Sequence, residues 1–351
     1  MKKLNIGILG ATGMVGQRFI GCLENHPYFQ IGCLAASERS AGKTYKEAAK
    51  WHLSGDIPDD VAKMKVAEID PKIIDEYDLD LVFSSIPASI ARDVEGAFAQ
   101  QIPVFSNTKT YRMDDDVPLV IAEVNPEQYD LIPIQRENRG WTGYIVTNGN
   151  CSTIGLVLPL KPIMDEFGLE WVNVTTMQAL SGAGYDGVSS MAIVDNVIPF
   201  IGGEEDKLEI ETVKMLGKLE GGKVKNADID IFASCNRVQS MDGHLKSVFV
   251  GTTEDFDEED VIAVFRKFRG LPQEAKLPTA PNPPIIVREE EDRPQPRLDR
   301  DAGNGMAITV GRIRRKCERK LKFTCLSHNT IRGAAGASVL NAELAKYMKL
   351  L

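Results

Sequence analysis

The sequence predicts a doubly wound α/β domain at the N-terminus followed by an α+β domain. Three observations carry this expectation. The chain has 351 residues, more than one hydrophobic core ordinarily organises, since single cores stop growing near ~250–300 residues. Short apolar runs alternate with helical stretches up to about Arg139-Gly140, the texture of a parallel sheet with helices on both faces. From Tyr144 the apolar runs lengthen and alternate with polar residues, as antiparallel strands do when one face is covered and the other is wet.

In chain order, Leu4 to Leu9 reads as a short buried strand, and the glycine-rich turn Gly10-Ala11-Thr12-Gly13-Met14-Val15-Gly16 leads into a helix ending near Glu24. Phe29 to Ala36 is a second strand. Leu79 to Ser84 and Ile102 to Ser106 are two more, with a helix from Ile90 to Gln100 between them. Tyr144 to Thr147 is a strand that runs into the polar turn Asn148-Gly149-Asn150-Cys151. The following helix is expected to kink or end at Pro159, which lacks a backbone donor. Trp171–Leu180, Ile229–Val238, Leu245–Thr252, Met306–Arg312 and Leu321–Leu326 are the longer strands, and Asp242-Gly243 is a hairpin signal. The Pro-rich stretch Leu271–Arg297 reads as an extended surface loop, and the acidic triplets Asp114–Asp116 and Glu289–Glu291 as solvated turns. A last helix, Gly336 to Lys349, has the spacing to pack back on the first domain.

Composition narrows the function. Hydrophobic residues make 43% and charged residues 26% of the chain, a globular balance that excludes a disordered, collagenous or disulfide-stapled protein. No apolar run reaches the ~18–20 residues that cross a bilayer, and the run after Met1-Lys2-Lys3 is too short for a secretion signal. The net charge of −9 disfavours nucleic acid and anionic membrane as partners. The basic cluster Arg312–Lys316 with Arg319 and Lys320 therefore reads as a solvated hairpin. The six cysteines show no metal-ligand spacing, so no metal site is expected; reduced thiols in the cytoplasm are.

Gly10, Gly13 and Gly16, after a strand and opening a helix, form a turn that lets the backbone approach a pyrophosphate at a helix N-terminus. This is the Rossmann arrangement. After the second strand, Glu38 could hold a ribose 2′-hydroxyl, but Ser37, Arg39, Ser40 and Lys43 offer donors for a 2′-phosphate and favour NADP. Cys151 sits where unpaired N–H groups and the positive helix end would favour a thiolate; a small residue packed at a helix start is the alternative. Among four histidines, His26 looks structural, His52 has no evident partner, His328 heads the loop to Gly333, and His244 follows the tight turn. A hairpin there would fold Arg237 and His244 side by side. Ser181-Gly182-Ala183-Gly184 could be a turn or a loop against a cofactor ring.

Taken together, GATGMVG, SERSAGK, TNGNCSTIG, QALSGAG, GEEDKLEIET, NRV…GH and HNTIRGAAG resemble the aspartate-β-semialdehyde dehydrogenases, most closely their archaeal and fungal-type branch. The resemblance runs from Leu4 to Lys349. It implies a semialdehyde dehydrogenase/glyceraldehyde-phosphate dehydrogenase-like fold, with an NADP-binding Rossmann domain over 1–147 joined by the C-terminal helix 328–351. A catalytic and oligomerisation domain would cover 148–327. It implies NADPH-dependent reduction of L-aspartyl-4-phosphate to L-aspartate 4-semialdehyde in lysine, diaminopimelate, threonine and methionine biosynthesis, by a homodimer or homotetramer.

By the same resemblance, Cys151 would form the acyl-thioester and His244 would be the acid/base. Arg237 would hold the substrate α-carboxylate, Asn150 and Gln178 would place the substrate, Glu204 would meet its amine, and Lys207 and Arg112 its phosphate. Cofactor contacts would come from Gly10, Thr12, Gly13, Met14 and Val15, from Ser37, Arg39 and Ser40, from Ser84, and from Ser181, Gly182 and Asn329 against the nicotinamide. Gly149 stands where many relatives have proline or another small residue. Archaeal malonyl-CoA reductases share the scaffold but differ just before the cysteine, where Asn148 and Asn150 favour the phosphate ester; N-acetyl-glutamyl-phosphate reductase ranks third. A nucleotide-binding sensor is the non-enzyme alternative.

Overall fold

The computed structural model describes residues 2–351. Seven strands form the first sheet: β1 (Leu4–Leu9), β2 (Phe29–Ala36), β3 (Val66–Glu68), β4 (Leu81–Ser84), β5 (Pro103–Ser106), β6 (Leu119–Val120) and β7 (Tyr144–Asn148). Their order is β3-β2-β1-β4-β5-β7-β6, with every pair parallel. Strand order reverses between β1 and β4, so a crevice opens beyond their C-terminal ends, where doubly wound sheets bind ligands. Both faces are covered. Phe19, Leu23, Val339 and Leu340 lie in one buried cluster, and Phe98, Ile73 and Val104 in another. Helix Gly336–Tyr347 is the last element and returns to the first sheet; Tyr129 Oη donates to Asn341 O at 2.7 Å, and Asn341 Nδ2 donates to Val120 O at 3.2 Å.

A second sheet takes β8 (Trp171–Gln178), β11 (Asp230–Arg237), β12 (His244–Gly251), β13 (Ile285–Arg288), β14 (Ile308–Cys317) and β15 (Lys320–Ser327) in the order β11-β8-β12-β15-β14-β13. A small hairpin, β9 (Lys218–Glu220) with β10 (Lys223–Lys225), stands apart. Helices Cys151–Phe167 and Glu258–Lys267 supply the apolar side chains over one face, among them Leu156, Leu160, Val261 and Phe265 against Val174, Val248 and Phe323.

Four expectations need correction. Asp242-Gly243 does not close a hairpin between β11 and β12. Both strands pair with β8, β11 in parallel and β12 antiparallel, so a turn signal that is local in sequence spans an intervening strand. Helix Cys151–Phe167 does not end at Pro159 but continues past it and Pro162. Proline at 159 removes the donor that would serve the Gly155 carbonyl, and the Cys325 thiol donates to that carbonyl at 3.6 Å instead. The Pro-rich stretch holds β13, which pairs with β14 at the sheet edge, the place where flanking prolines cost no ladder bonds. Asp116 is buried and Asp114 half-buried, both gripped by Arg139 at 2.5 and 2.9 Å, while Asp115 is exposed as expected. Glu289–Glu291 are exposed.

The turn before the last helix is pinned by Arg332, whose Nη1 and Nη2 meet the Glu123 carboxylate at 2.9 and 2.6 Å with both groups buried. Removing one partner strands the other charge out of water. Arg332→Met is expected to cost about 3–5 kcal/mol of stability, read as a lower urea midpoint, and adding Glu123→Gln should restore part of it.

Candidate active site

The site is assembled around the turn that joins β7 to helix Cys151–Phe167. At Gly149 a Cβ would lie 2.1 Å from Met215 Cε, so a side chain there would push the Met215 side chain aside. Asn150 caps the helix: its Oδ1 accepts from Ser152 and Thr153 N–H at 2.8 and 3.3 Å. Its Nδ2 donates to both oxygens of Glu204 at 3.0 Å. Its own backbone N–H donates to Glu211 Oε2 at 2.6 Å. Glu211 also receives Arg112 Nη1 at 2.8 Å.

Cys151 Sγ stands 3.3 Å from His244 Nε2. On its other side His244 Nδ1 accepts the Ala179 backbone N–H at 3.0 Å. A ring nitrogen that accepts carries no proton, so in the neutral ring Nε2 bears the hydrogen and faces the sulfur. Burial, with Lys246, Arg237 and His328 nearby, holds the imidazole well below its usual 6.5. Arg237 Nη1 donates to Ala179 O at 2.7 Å. The Ser181-Gly182 loop lies on both groups, since a Cβ at Gly182 would come within 3.1 Å of Arg237 Nη1 and the His244 ring. Asn329 ties that loop down through Ser181 Oγ at 2.8 Å and accepts the Gly243 N–H at 2.9 Å.

The thiolate expected at rest is not what these surroundings favour. Burial, reinforced by the Glu204 charge, pushes the Cys151 thiol up to about 12 against the opposing pull of Lys246, Arg112 and Arg237. The helix N–H groups counted on to lower it are taken by the Asn150 cap. Glu204 works the other way: burial opposes its charge, but Lys207 at 2.8 Å, Asn150 and Gln178 outweigh that and hold its carboxyl below the usual range.

A cleft of about 430 Å³ is lined by Cys151, Arg112, Glu204 and Arg237 together with Val15 and Asn329. Gln178, Ser181, Gly182 and Asn150 also line it, and Lys207 reaches it through Glu204. A larger cleft of about 710 Å³, bounded by Arg18, Trp51 and Pro278, holds none of the expected residues.

The glycine turn fits a dinucleotide phosphate. Gly10 has φ +84°, and a Cβ there would lie 2.8 Å from Ser85 O, while a Cβ on Gly16 would lie 2.2 Å from Gly10 O. Gly13 is the N-cap of helix Met14–Leu23 and supplies no capping side chain, so the first amides remain free for an anion beside Thr12, Met14 and Val15. Ser37 and Arg39 are exposed and Ser40 half-buried in a turn closed by Ser40 and Ala41 N–H on Ser37 O. Ser84 is a correction. Its hydroxyl is fully buried and donates to Glu95 at 2.7 Å, because alternation along β4 turns it beneath the crevice that Ser85 borders.

Sequence reasoning missed Glu211, Lys214 and Lys246. Glu204, Lys207 and Glu211 fall at i, i+3 and i+7 of one helix, a single face, and that spacing could have exposed Glu211. Lys214, one turn on, donates to Arg112 O and Asp114 O at 2.7 and 2.9 Å and so supports the loop that carries Arg112; burial pulls its ammonium down to about 8. His52, without a partner in the sequence reading, stacks on Tyr185 with ring centroids 3.5 Å apart. His26 is structural, 2.8 Å from Glu343.

A thiol this high has a kinetic signature. Alkylation of Cys151 by iodoacetamide, followed by mass spectrometry, should rise about tenfold per pH unit from pH 7 to 10 with no plateau, because only the thiolate reacts. A plateau near pH 8 would show a thiolate already formed at rest.

Comparison with known proteins agrees with this arrangement. Residues 5–132 match the family described as "Semialdehyde dehydrogenase, NAD binding domain", and residues 160–332 match "Semialdehyde dehydrogenase, dimerisation domain". The chain is 56% identical to an aspartate-semialdehyde dehydrogenase of Archaeoglobus fulgidus over 99% of its length and 100% of that relative. It is 42% identical to a malonyl CoA reductase (NADP) of Metallosphaera sedula over 98% of this chain and 97% of that one. Its fold matches the crystal structure of Candida albicans aspartate semialdehyde dehydrogenase with NADP, with a TM-score of 0.91 and 41% identity over 100% of both chains. With both halves of the chain matched, and Cys151 lining a cleft with Val15 while touching His244, the chain belongs to the semialdehyde dehydrogenase family.

Proposed function

We propose that this protein is an NADP-dependent aspartate-semialdehyde dehydrogenase that reduces L-aspartyl-4-phosphate to L-aspartate 4-semialdehyde and phosphate, in lysine, threonine and methionine biosynthesis. The observation that carries this reading is the Cys151–His244 contact of 3.3 Å, set among one carboxylate and three cations. L-Aspartyl phosphate has an ammonium, an α-carboxylate and a phosphate, and the cleft offers a counter-charge for each: Glu204, the Arg237 guanidinium, and Arg112 with Lys207. Asn150 and Gln178 orient Glu204. At rest the site neutralises itself, with Lys207 on Glu204 at 2.8 Å and Arg112 on Glu211 at 2.8 Å. The substrate brings an ammonium for Glu204 and a phosphate for Lys207 and Arg112. Glu204 thus exchanges one ammonium partner for another, and Lys207 is released to the phosphate.

Cys151 sulfur then attacks the acyl carbon, and the tetrahedral oxyanion collapses to a thioester as the C–O bond to phosphate breaks, the thiol proton leaving with the phosphate as hydrogen phosphate. His244 Nε2–H lies where it can stabilise the ionised sulfur and donate to the carbonyl oxygen. When bound, NADPH supplies the hydride that takes the thioester to the aldehyde level. Gly10, Thr12, Gly13, Met14 and Val15 would hold its pyrophosphate, Ser37, Arg39 and Ser40 its 2′-phosphate, and Ser181, Gly182 and Asn329 the nicotinamide end. Residues 1–147 with 328–351 form the cofactor half, and 148–327 the catalytic and oligomerisation half. Tyr185, Met191, Val194, Val197 and Phe200, with Phe232 on the edge strand β11, are exposed and support a homodimer or homotetramer. Six free cysteines support a cytoplasmic setting.

Reduced-cofactor absorbance with semialdehyde, phosphate and NADP+ tests the reading directly. Malonyl-CoA, which has no ammonium for Glu204, should not oxidise NADPH at a comparable rate; the reverse result would make the protein a malonyl-CoA reductase, and no turnover with either would leave a nucleotide-binding sensor. Cys151→Ala should lower turnover at least about a thousandfold while NADP binding persists. Arg39→Ala should narrow the NADP-to-NAD preference about tenfold, the size of one charge-assisted hydrogen bond, measured as a ratio of kcat/KM values.

A further inference from the structure

Lys246 is a fully buried lysine on β12, two residues from His244 and on the same face of the strand. Its Nζ donates to His244 O at 3.2 Å and Ser327 Oγ at 3.1 Å. Among the described residues no carboxylate comes within ion-pair distance of it. Burying an ammonium without an anion costs several kcal/mol after relaxation, and burial holds the Lys246 amine below its usual value while the neighbouring cysteines oppose that fall, so a lysine here calls for a reason. Helix Cys151–Phe167 lies directly over it. A Cβ on Gly155 would come 2.7 Å from Nζ and 2.1 Å from Ser327 Oγ, so the amine is seated because residue 155 has no side chain. Gly155 is four residues, about one turn, from Cys151 and on the same side of the helix.

The elements around Lys246 contain one kind of group that can supply the missing negative charge. The helix above brings Cys151. On β15 are Cys325, opposite Lys246 in the register, and Ser327, with His328 just beyond. β8 presents Thr176 at the facing position, and β11 brings Cys235 and Arg237. Glu204 from helix Glu204–Met215 is taken by Lys207 and Asn150, and Arg112 is taken by Glu211. Cys325 is engaged with Gly155 O as a thiol donor. The sulfur of Cys151 is the group that acquires a negative charge during the proposed reaction.

We propose that Lys246 is a positioning residue whose buried charge, beneath the first turn of the Cys151 helix, stabilises the Cys151 thiolate when the sulfur attacks and again when the acyl group departs. This rests on the reading of Cys151 as the nucleophile. The electrostatic coupling has the matching sign: Lys246 is the largest of the cationic influences pulling the Cys151 thiol down.

The test is the iodoacetamide reaction of the full chain, in which the S–C bond forms, iodide leaves and the thiol proton passes to buffer. Lys246→Gln keeps hydrogen-bond donors but removes the charge. It should slow Cys151 alkylation about tenfold at every pH from 7 to 9, a parallel displacement equivalent to one unit of thiol pKa, with kcat lowered and NADP binding unchanged. An alkylation line superimposed on the wild type would overturn the proposal and leave Lys246 as a bridge between strands. A second measurement needs no variant. Raising KCl from ~0.1 to ~1 M shortens the screening length from about 10 to about 3 Å, and ions entering the cleft reach Arg112 and Arg237 but not Lys246. A wild-type alkylation rate that holds steady supports the buried charge, whereas a tenfold fall would assign the effect to the two arginines and overturn it. Should alkylated protein retain full turnover, the nucleophile reading fails first, and the proposal with it.

Discussion

Everything in the cleft depends on one residue using three hydrogen-bonding groups at once. Asn150 ends the strand-to-helix turn, caps the helix through its carbonyl oxygen, grips Glu204 through its amide nitrogen, and gives its backbone N–H to Glu211. Through these bonds the first sheet, the Cys151 helix and helix Glu204–Met215 share a single fixed point. The acid expected to meet the substrate amine and the arginine expected to meet its phosphate are positioned from that point, Arg112 by way of Glu211. An aspartate in place of Asn150 could cap the helix but could not donate to Glu204.

The same economy explains how an acidic chain accommodates an anionic substrate. Its net charge is −9, yet the cleft concentrates Arg112, Lys207 and Arg237 with Lys246 behind them. Each lining cation is engaged at rest, by Glu211, Glu204 or the Ala179 carbonyl, so the empty site is not a bare positive hole. Ligand charges replace internal ones rather than adding to them, which lowers the desolvation cost of bringing a doubly charged phosphate into a buried space.

Much of this was legible in the sequence because it is local. The glycine turn, the strands Leu4–Leu9 and Phe29–Ala36, and the cysteine at a helix start are short-range patterns, and the structure has them within a residue or two. What escaped is non-local. That β8 would slip between β11 and β12 cannot be read from a turn dipeptide, and yet it is what brings Arg237 and His244 to one end of the sheet. That Pro159 would be tolerated depends on a thiol arriving from β15. The resting state of Cys151 was misjudged because a helix terminus is visible in sequence, whereas burial and the Glu204 charge are properties of the folded cleft. Ser84 failed by one position, its hydroxyl falling beneath the sheet surface while its neighbour borders the crevice.

The return of helix Gly336–Tyr347 to the first sheet has a consequence for biogenesis. The apolar cluster that includes Val120, Ala122 and Tyr129 is completed by Val339, Leu340 and Leu344, which are translated after the residues of the second sheet. The nucleotide half therefore cannot finish folding as it emerges, although it is translated first. One flank stays uncovered until the intervening second sheet has been synthesised.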